Sequence, residues 1–399
     1  MGREFVAEQQ KEQQKEQVEV EEQLPAPAPD AKAPAPAPAS VPQTRAAFLK
    51  RKVIENFLPL GFGVALIIAM SVPAPGKQAA SIVLPNINVL LIQAINNVIV
   101  FFISGITLNV NALAEIRSSW RAVVFGILAI LFITPLLGFI FVNIPLEPKE
   151  FSIGLALFCC VPTTLGVGVA LTTAAGGNNS VALFLTVFTN IIGILTVPYL
   201  LQFVLIQNAE ASKILAFNPI NVFVKLIFTV LIPSLLGVTV NRNSSRARAF
   251  VASRRTELSM FSTLNLVCII WQTLSSASSI LIQQSAVDLV LVVVISASLH
   301  LVLLGILFFI TSRILRLPIK EVVAVTIMAS QKSAPVAVTL ISYITTVPST
   351  QGLLAIPALI GQLCQIFIGS ALIARFRRII KEAEAAAEAA GGGGSVAKK

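Results

Sequence analysis

Ten apolar stretches, each of ~18–28 residues, follow one another along this chain, and each is long enough to cross a hydrocarbon core of about 30 Å. Their limits are 56–73, 83–109, 121–142, 151–174, 179–206, 220–240, 258–282, 287–311, 321–345 and 351–374. Inside lipid only helices and closed barrels satisfy every backbone polar group, and stretches of this length are helical. Composition agrees: 55% of residues are apolar and 12% charged, whereas a soluble domain carries about 25% charged residues. The expected fold class is an all-α polytopic membrane protein.

The net charge of +10 does not point to nucleic acid, because the basic residues cluster at the ends of the apolar stretches, at headgroup level. Eighteen flanking Lys and Arg, from Arg45 to Lys381, fall on the side holding the N-terminus. Only Lys77, Lys149, Lys213 and Lys225 fall on the other. Basic loops stay on the cytoplasmic-type face, so the asymmetry predicts an even helix count with both termini on one side.

Three regions differ in material. Residues 1–44 are Gln/Glu-rich and then Pro/Ala-rich, a composition that buries no core and predicts a disordered tail. The tail is too acidic to read as an intact organelle transit peptide. Residues 45–380 form the ten-helix domain, and 381–399 a polar flexible tail that begins as an Ala/Glu helix extension. Within the domain, Pro59-Leu-Gly-Phe-Gly63-Val64 matches Pro233-Ser-Leu-Leu-Gly237-Val238, and Ile95-Asn96 matches Leu264-Asn265. These matches are faint, but they divide the domain into repeats over about 53–208 and 217–378. Five helices per repeat is an odd number, so the second copy is expected inverted, a plan common among carriers.

Stretches four and nine carry the chemistry. The fourth contains Pro162-Thr163-Thr164 and Gly166, and is followed by Gly176-Gly177-Asn178-Asn179; the ninth contains Ser330-Gln331-Lys332-Ser333-Ala334-Pro335. Proline removes a backbone donor and glycine lets the chain unwind. Both helices are therefore expected to be broken, as helices that line a wet cavity are; an ordinary proline kink is the alternative. Lys332 lies at mid-span, where an ammonium costs about 2.5–3.5 kcal/mol. Such a group faces a cavity and serves function, or it bonds backbone carbonyls. The candidate substrate and ion site is Pro162, Thr163, Thr164, Asn178, Asn179, Ser330, Gln331, Lys332 and Ser333. The acids Glu115, Glu147, Glu150, Glu210, Glu257, Asp288 and Glu321 all map to loops or helix ends, so the balance of charge favours an anionic ligand. Asn96, Asn97, Asn190, Asn265, Gln272, Gln362 and Gln365 read as polar contacts between helices.

Several classes are disfavoured. Cys159, Cys160, Cys268 and Cys364 form no CxxC pair, and His300 is the sole histidine, so no zinc enzyme pattern is present. An intramembrane transferase would need carboxylates or metal ligands at depth, so the chain is not read as an enzyme and no cofactor is expected. A non-transporting membrane regulator of ion homeostasis remains as the alternative class, one with no need for costly polar breaks.

Asn56-Phe-Leu-Pro-Leu60, Ser104-Gly105-Ile-Thr-Leu108, Phe158-Cys-Cys-Val-Pro-Thr-Thr164, Gly168-Val-Ala-Leu-Thr172, Gly176-Gly177-Asn178, Gly193-Ile-Leu-Thr-Val-Pro198 and Ser330-Gln331-Lys332 together resemble the bile acid:sodium symporter family. The resemblance is to its plant branch of chloroplast-envelope cotransporters and runs from about Asn56 to Arg377. It implies ten helices in two bodies, breaks crossing at the binding site, and symport of a small organic anion or metabolite with sodium as coupling ion. It also implies the plastid envelope, with lipid around it and no protein partner named. Two positions depart from the pattern. Relatives often have two serines where Gly166 and Val167 stand, and the bile-acid carriers place a glutamate near Ile327 and lack the lysine. An ammonium at Lys332 would take the space and charge of a sodium ion, which makes a sodium-independent or proton-linked anion carrier the alternative.

Overall fold

The computed structural model describes residues 53, 57–84, 89–108, 116–164 and 166–392; the N-terminal tail through residue 44 and the last residues of the C-terminal tail lie outside them. The described chain is helical apart from one short ribbon. Helix α1 (Phe57–Ser71) meets α2 (Pro73–Ser81) at a bend of 98°, placed where Pro73 denies the helix a donor. A two-stranded antiparallel ribbon, β1 (Val83–Leu84) with β2 (Val89–Leu90), precedes α3 (Leu91–Ile106). The second apolar stretch is therefore helical only in its later part. Ile82 and Val83 stand at its start, ahead of Pro85, and β-branched residues before a proline favour extended backbone.

The third stretch is helical from Ile116 to Phe141. It comprises α4 (Trp120–Leu128), a π turn (Ala129–Ile133), α5 (Thr134–Leu136) and α6 (Gly138–Phe141). The fourth stretch divides into α7 (Lys149–Cys160) and α8 (Val167–Ala175), and α9 (Asn179–Ile206) is the fifth. Short α10 (Ala209–Ile214) leads to α11 (Pro219–Leu226), a second π turn (Ile227–Leu231) and α12 (Ile232–Asn243). After α13 (Ser245–Ser253) come α14 (Arg255–Leu281) and α15 (Ala286–Phe309), which closes in a third π turn (Ile310–Ile314). The ninth stretch divides into α16 (Ile319–Ser330) and α17 (Ala334–Ile344), and α18 runs from Pro348 to Gly392.

Capping follows from residue type. The side chains of Asn178, Asn208, Asn218, Ser244 and Ser285 accept the free N–H groups that open α9, α10, α11, α13 and α15. Among the described residues, seven stretches are long and apolar enough to cross a membrane, and eight if the bent α1–α2 pair counts as one. Their burial is unequal. The α16–α17 span is 89% buried within the protein, whereas the spans from Pro219 and from Ala286 are 28% buried and turn outward. The broken α16–α17 helix is thus the most enclosed of these spans. Elsewhere α7 packs on α18 and α1 on α14. Helices α3 and α12 touch backbone to backbone, because Gly105 faces Ser234 and Gly237 faces Phe102.

Candidate functional site

A helix that stops inside a membrane leaves backbone groups that need partners. α16 stops at Ser330, the backbone is extended at Gln331 and Ser333, and α17 restarts with Pro335 in its first turn. Three N–H groups lose their helical acceptors there. Lys332 N–H donates to Gln365 Oε1 at 2.9 Å, Ala334 N–H to Gln362 Oε1 at 2.7 Å, and Ser333 N–H to Pro162 O at 3.0 Å. Two orphaned carbonyls also find donors. Thr163 Oγ1 donates to Met328 O at 2.6 Å, and His300 Nδ1 lies 3.2 Å from Ser330 O. A carbonyl only accepts, so that ring nitrogen carries the proton.

The other break runs from Val161 to Gly166, between α7 and α8. Thr164 Oγ1 accepts Gly168 N–H at 2.7 Å and closes the first turn of α8, while Asn190 Nδ2 on α9 donates to Thr163 O at 3.1 Å. Pro162 O and Thr163 Oγ1 bond to Ser333 and Met328, so the two breaks are joined directly. Gly168 lies against Met328 and Gly193 against Pro162, so a side chain at either position would crowd its neighbour.

Lys332 is 3% exposed, and its Nζ donates to Ile130 O in the first π turn at 3.0 Å. Glu321 stands away from it in the first turn of α16, where it accepts from Ser119 Oγ at 2.6 Å. Buried polar atoms without a partner include four at or beside the second break and its neighbours: Gln331 Oε1 in the break, Thr326 Oγ1 on α16, Asn190 Oδ1 on α9 and His300 Nε2 on α15. Three of them are acceptors. A small apolar cavity beside Pro162 is lined by Asn190, Gly193, Ile194, Val230, Val336 and Leu340. It shares Asn190, Ile194 and Val230 with a cleft of about 80 Å³ walled by Phe101, Ser104, Thr186, Leu231 and Ser234. Among the described residues, no three His, Cys, Asp or Glu side chains gather as a metal site.

Seven of the nine residues expected from sequence meet here: Pro162, Thr163, Thr164, Ser330, Gln331, Lys332 and Ser333. Asn178 and Asn179 do not. The nine residues of α8 (Val167–Ala175) separate them from the break, a rise of about 13 Å. Gly176, with φ of +81°, ends α8, Asn178 caps α9, and its N–H donates to Lys320 O. Asn179 accepts from Thr173. Gln362, Gln365 and Asn190 were legible only as polar residues between helices, yet they complete the breaks. Ile130 offers a backbone group and so leaves no mark in a sequence, although Pro135 nearby does.

Two breaks held together by their own freed backbone groups match a known pattern of membrane carriers, and residues 56–378 match the profile of the SBF-like CPA transporter family. The chain belongs to that family. It is 32% identical over 329 residues to the "Probable sodium/metabolite cotransporter BASS4, chloroplastic" of Arabidopsis thaliana, covering 80% of this chain and 72% of the relative. The protein of the same name from Oryza sativa subsp. japonica is 32% identical over 333 residues, with 81% and 76% covered. "Sodium/bile acid cotransporter 7-B" of Xenopus laevis is 25% identical over 330 residues, with 82% and 92% covered. These are the family and the plant branch to which the motifs pointed. The protein is a multi-pass membrane transporter and not an enzyme.

Proposed function

We propose that this family member is a secondary carrier of a small organic anion, built from ten spans as two inverted five-helix repeats, with its binding site at the crossing of α7–α8 and α16–α17. The observation that carries the reading is the buried Lys332 ammonium on a non-helical segment, held by a neutral carbonyl rather than a carboxylate. An arriving carboxylate or similar anion supplies the charge that the protein does not. Pro162, Thr163, Thr164, Ser330, Gln331, Lys332 and Ser333 frame the site, and Asn178 and Asn179 stay outside it. Sodium is the coupling ion on this reading, as it is in the names of the plant and frog relatives. Gln331 Oε1 and Asn190 Oδ1, buried without donors, are the hard oxygens that suit it. The plant relatives are named chloroplastic, which supports the plastid envelope, with both termini on its basic side.

Lys332 also favours a second reading, in which its ammonium stands in place of sodium and the carrier is sodium-independent or proton-linked. Purified protein in proteoliposomes, offered a panel of labelled organic anions with and without a sodium gradient, tests both. Uptake that collapses without sodium supports the first and uptake indifferent to sodium the second. No uptake of any anion under any gradient would refute the carrier reading.

A further inference from the structure

The first π turn is where a proline and a lysine from distant parts of the chain meet on one backbone oxygen. In an α-helix Ile130 O would accept the N–H of Thr134, but that N–H donates to Ala129 O instead. In the π register the partner of Ile130 O would be residue 135, which is a proline without an N–H. Both backbone donors are thus withdrawn from one buried carbonyl. It is taken up by Lys332 Nζ at 3.0 Å and by Thr134 Oγ1 at 3.1 Å. Ile130 and Thr134 are fully buried, at 0% and 1% exposure, so water does not replace these donors.

We propose that Pro135 is a positioning residue: it keeps Ile130 O open so that this carbonyl fixes the Lys332 ammonium at the crossing of the two broken helices. The assignment rests on the carrier reading for its purpose, since a fixed cation is useful only where an anion must be received. The tether itself is testable without transport. An ammonium has three donors, so one bond to Ile130 O locates Nζ and leaves two hydrogens for a ligand.

The test uses the full-length protein in detergent, with melting temperatures for wild type, Pro135→Ala, Lys332→Met and the double variant. Alanine at 135 brings an N–H that competes with Lys332 for Ile130 O in the wild type and replaces it in Lys332→Met. Pro135→Ala should therefore raise the melting temperature more, or lower it less, in Lys332→Met than in wild type, a non-additivity expected of groups sharing one partner. Should Pro135→Ala fail to fold, Thr134→Val supplies a second cycle. It should cost more in Lys332→Met, where Ile130 O would keep no side-chain donor. Reductive methylation with formaldehyde and cyanoborohydride, followed by mass spectrometry, reads how free the Lys332 amine is, and its rate should rise several-fold in Pro135→Ala. Equal melting shifts in both backgrounds, or an unchanged methylation rate, would overturn the assignment. Failure of the uptake panel would remove the carrier reading and leave these two readouts standing.

Discussion

The break at Val161–Gly166 and the break at Gln331–Ser333 are both made by proline within an apolar span, yet they are closed by different means. The first is closed mostly from nearby: Thr164 caps α8, the helix that follows, and Asn190 on the neighbouring α9 takes Thr163 O. The second is closed from afar, by Gln362 and Gln365 on α18, Pro162 on the opposite break, His300 on α15 and Ile130 on the third span. It alone bears a charge. A segment whose partners come from four separate elements is placed by the whole fold, which explains why the α16–α17 span is 89% buried. The first break is a local device and the second a junction, so a given loss at the second should cost more.

The largest expected effect is at Lys332. Hydrogen bonds to charged groups contribute about 1.5–3 kcal/mol, a factor of roughly 10–150. Lys332→Met should therefore lower anion uptake by about two orders of magnitude while inserting and purifying normally, since it removes a charge that is costly at depth. Lys332→Arg keeps the charge but fixes its shape and should retain partial uptake. Initial rates in proteoliposomes check both, and wild-type rates in Lys332→Met would reduce the second break to a structural junction.

Most of the framework was legible because the bilayer leaves so little choice. Apolar runs of spanning length favour helix, and Pro162 or Gln331-Lys332-Ser333 inside such runs favours an interruption. The partners of those interruptions were not legible. Gln362 and Gln365 are three residues apart on one helix, a spacing that any helix–helix contact would share, and only the fold shows that their oxygens face two freed N–H groups. Asn178 and Asn179 drew attention by closeness in sequence to the first break, but an intact α8 carries them away. The pairing of Val83–Leu84 with Val89–Leu90 was hidden because Ile, Val and Leu serve a strand and a membrane helix equally well.

Next in size are the glutamines. Gln365→Ala leaves Lys332 N–H buried without an acceptor, and Gln362→Ala does the same to Ala334 N–H. An unsatisfied buried group costs about 1–3 kcal/mol, so each variant should lower the melting temperature of the purified protein measurably. The effects of the pair should depart from additivity, since both hold one three-residue segment. If neither glutamine variant melts below wild type, the junction account of the second break is wrong and its N–H groups find other partners.

The smallest expected effect is at Thr164, and it sharpens the contrast because the first break is closed locally there. Its Oγ1 accepts Gly168 N–H at 2.7 Å, and its residue is 2% exposed, so the group it satisfies cannot turn to water. Loss of a capping side chain costs about 0.5–2 kcal/mol and typically ~1. Thr164→Val keeps the shape but not the oxygen, and should destabilise by about that amount. Thr164→Ser keeps the oxygen and gives up one methyl, a loss of about 0.8 kcal/mol at full burial, and should fall below Thr164→Val in effect. Neither change touches the charge, so uptake per folded molecule should follow stability rather than collapse as in Lys332→Met. Melting curves paired with uptake normalised to folded protein separate the two cases. A Thr164→Val protein that melts like wild type but transports nothing would place Thr164 in contact with the anion and make the first break a binding element in its own right.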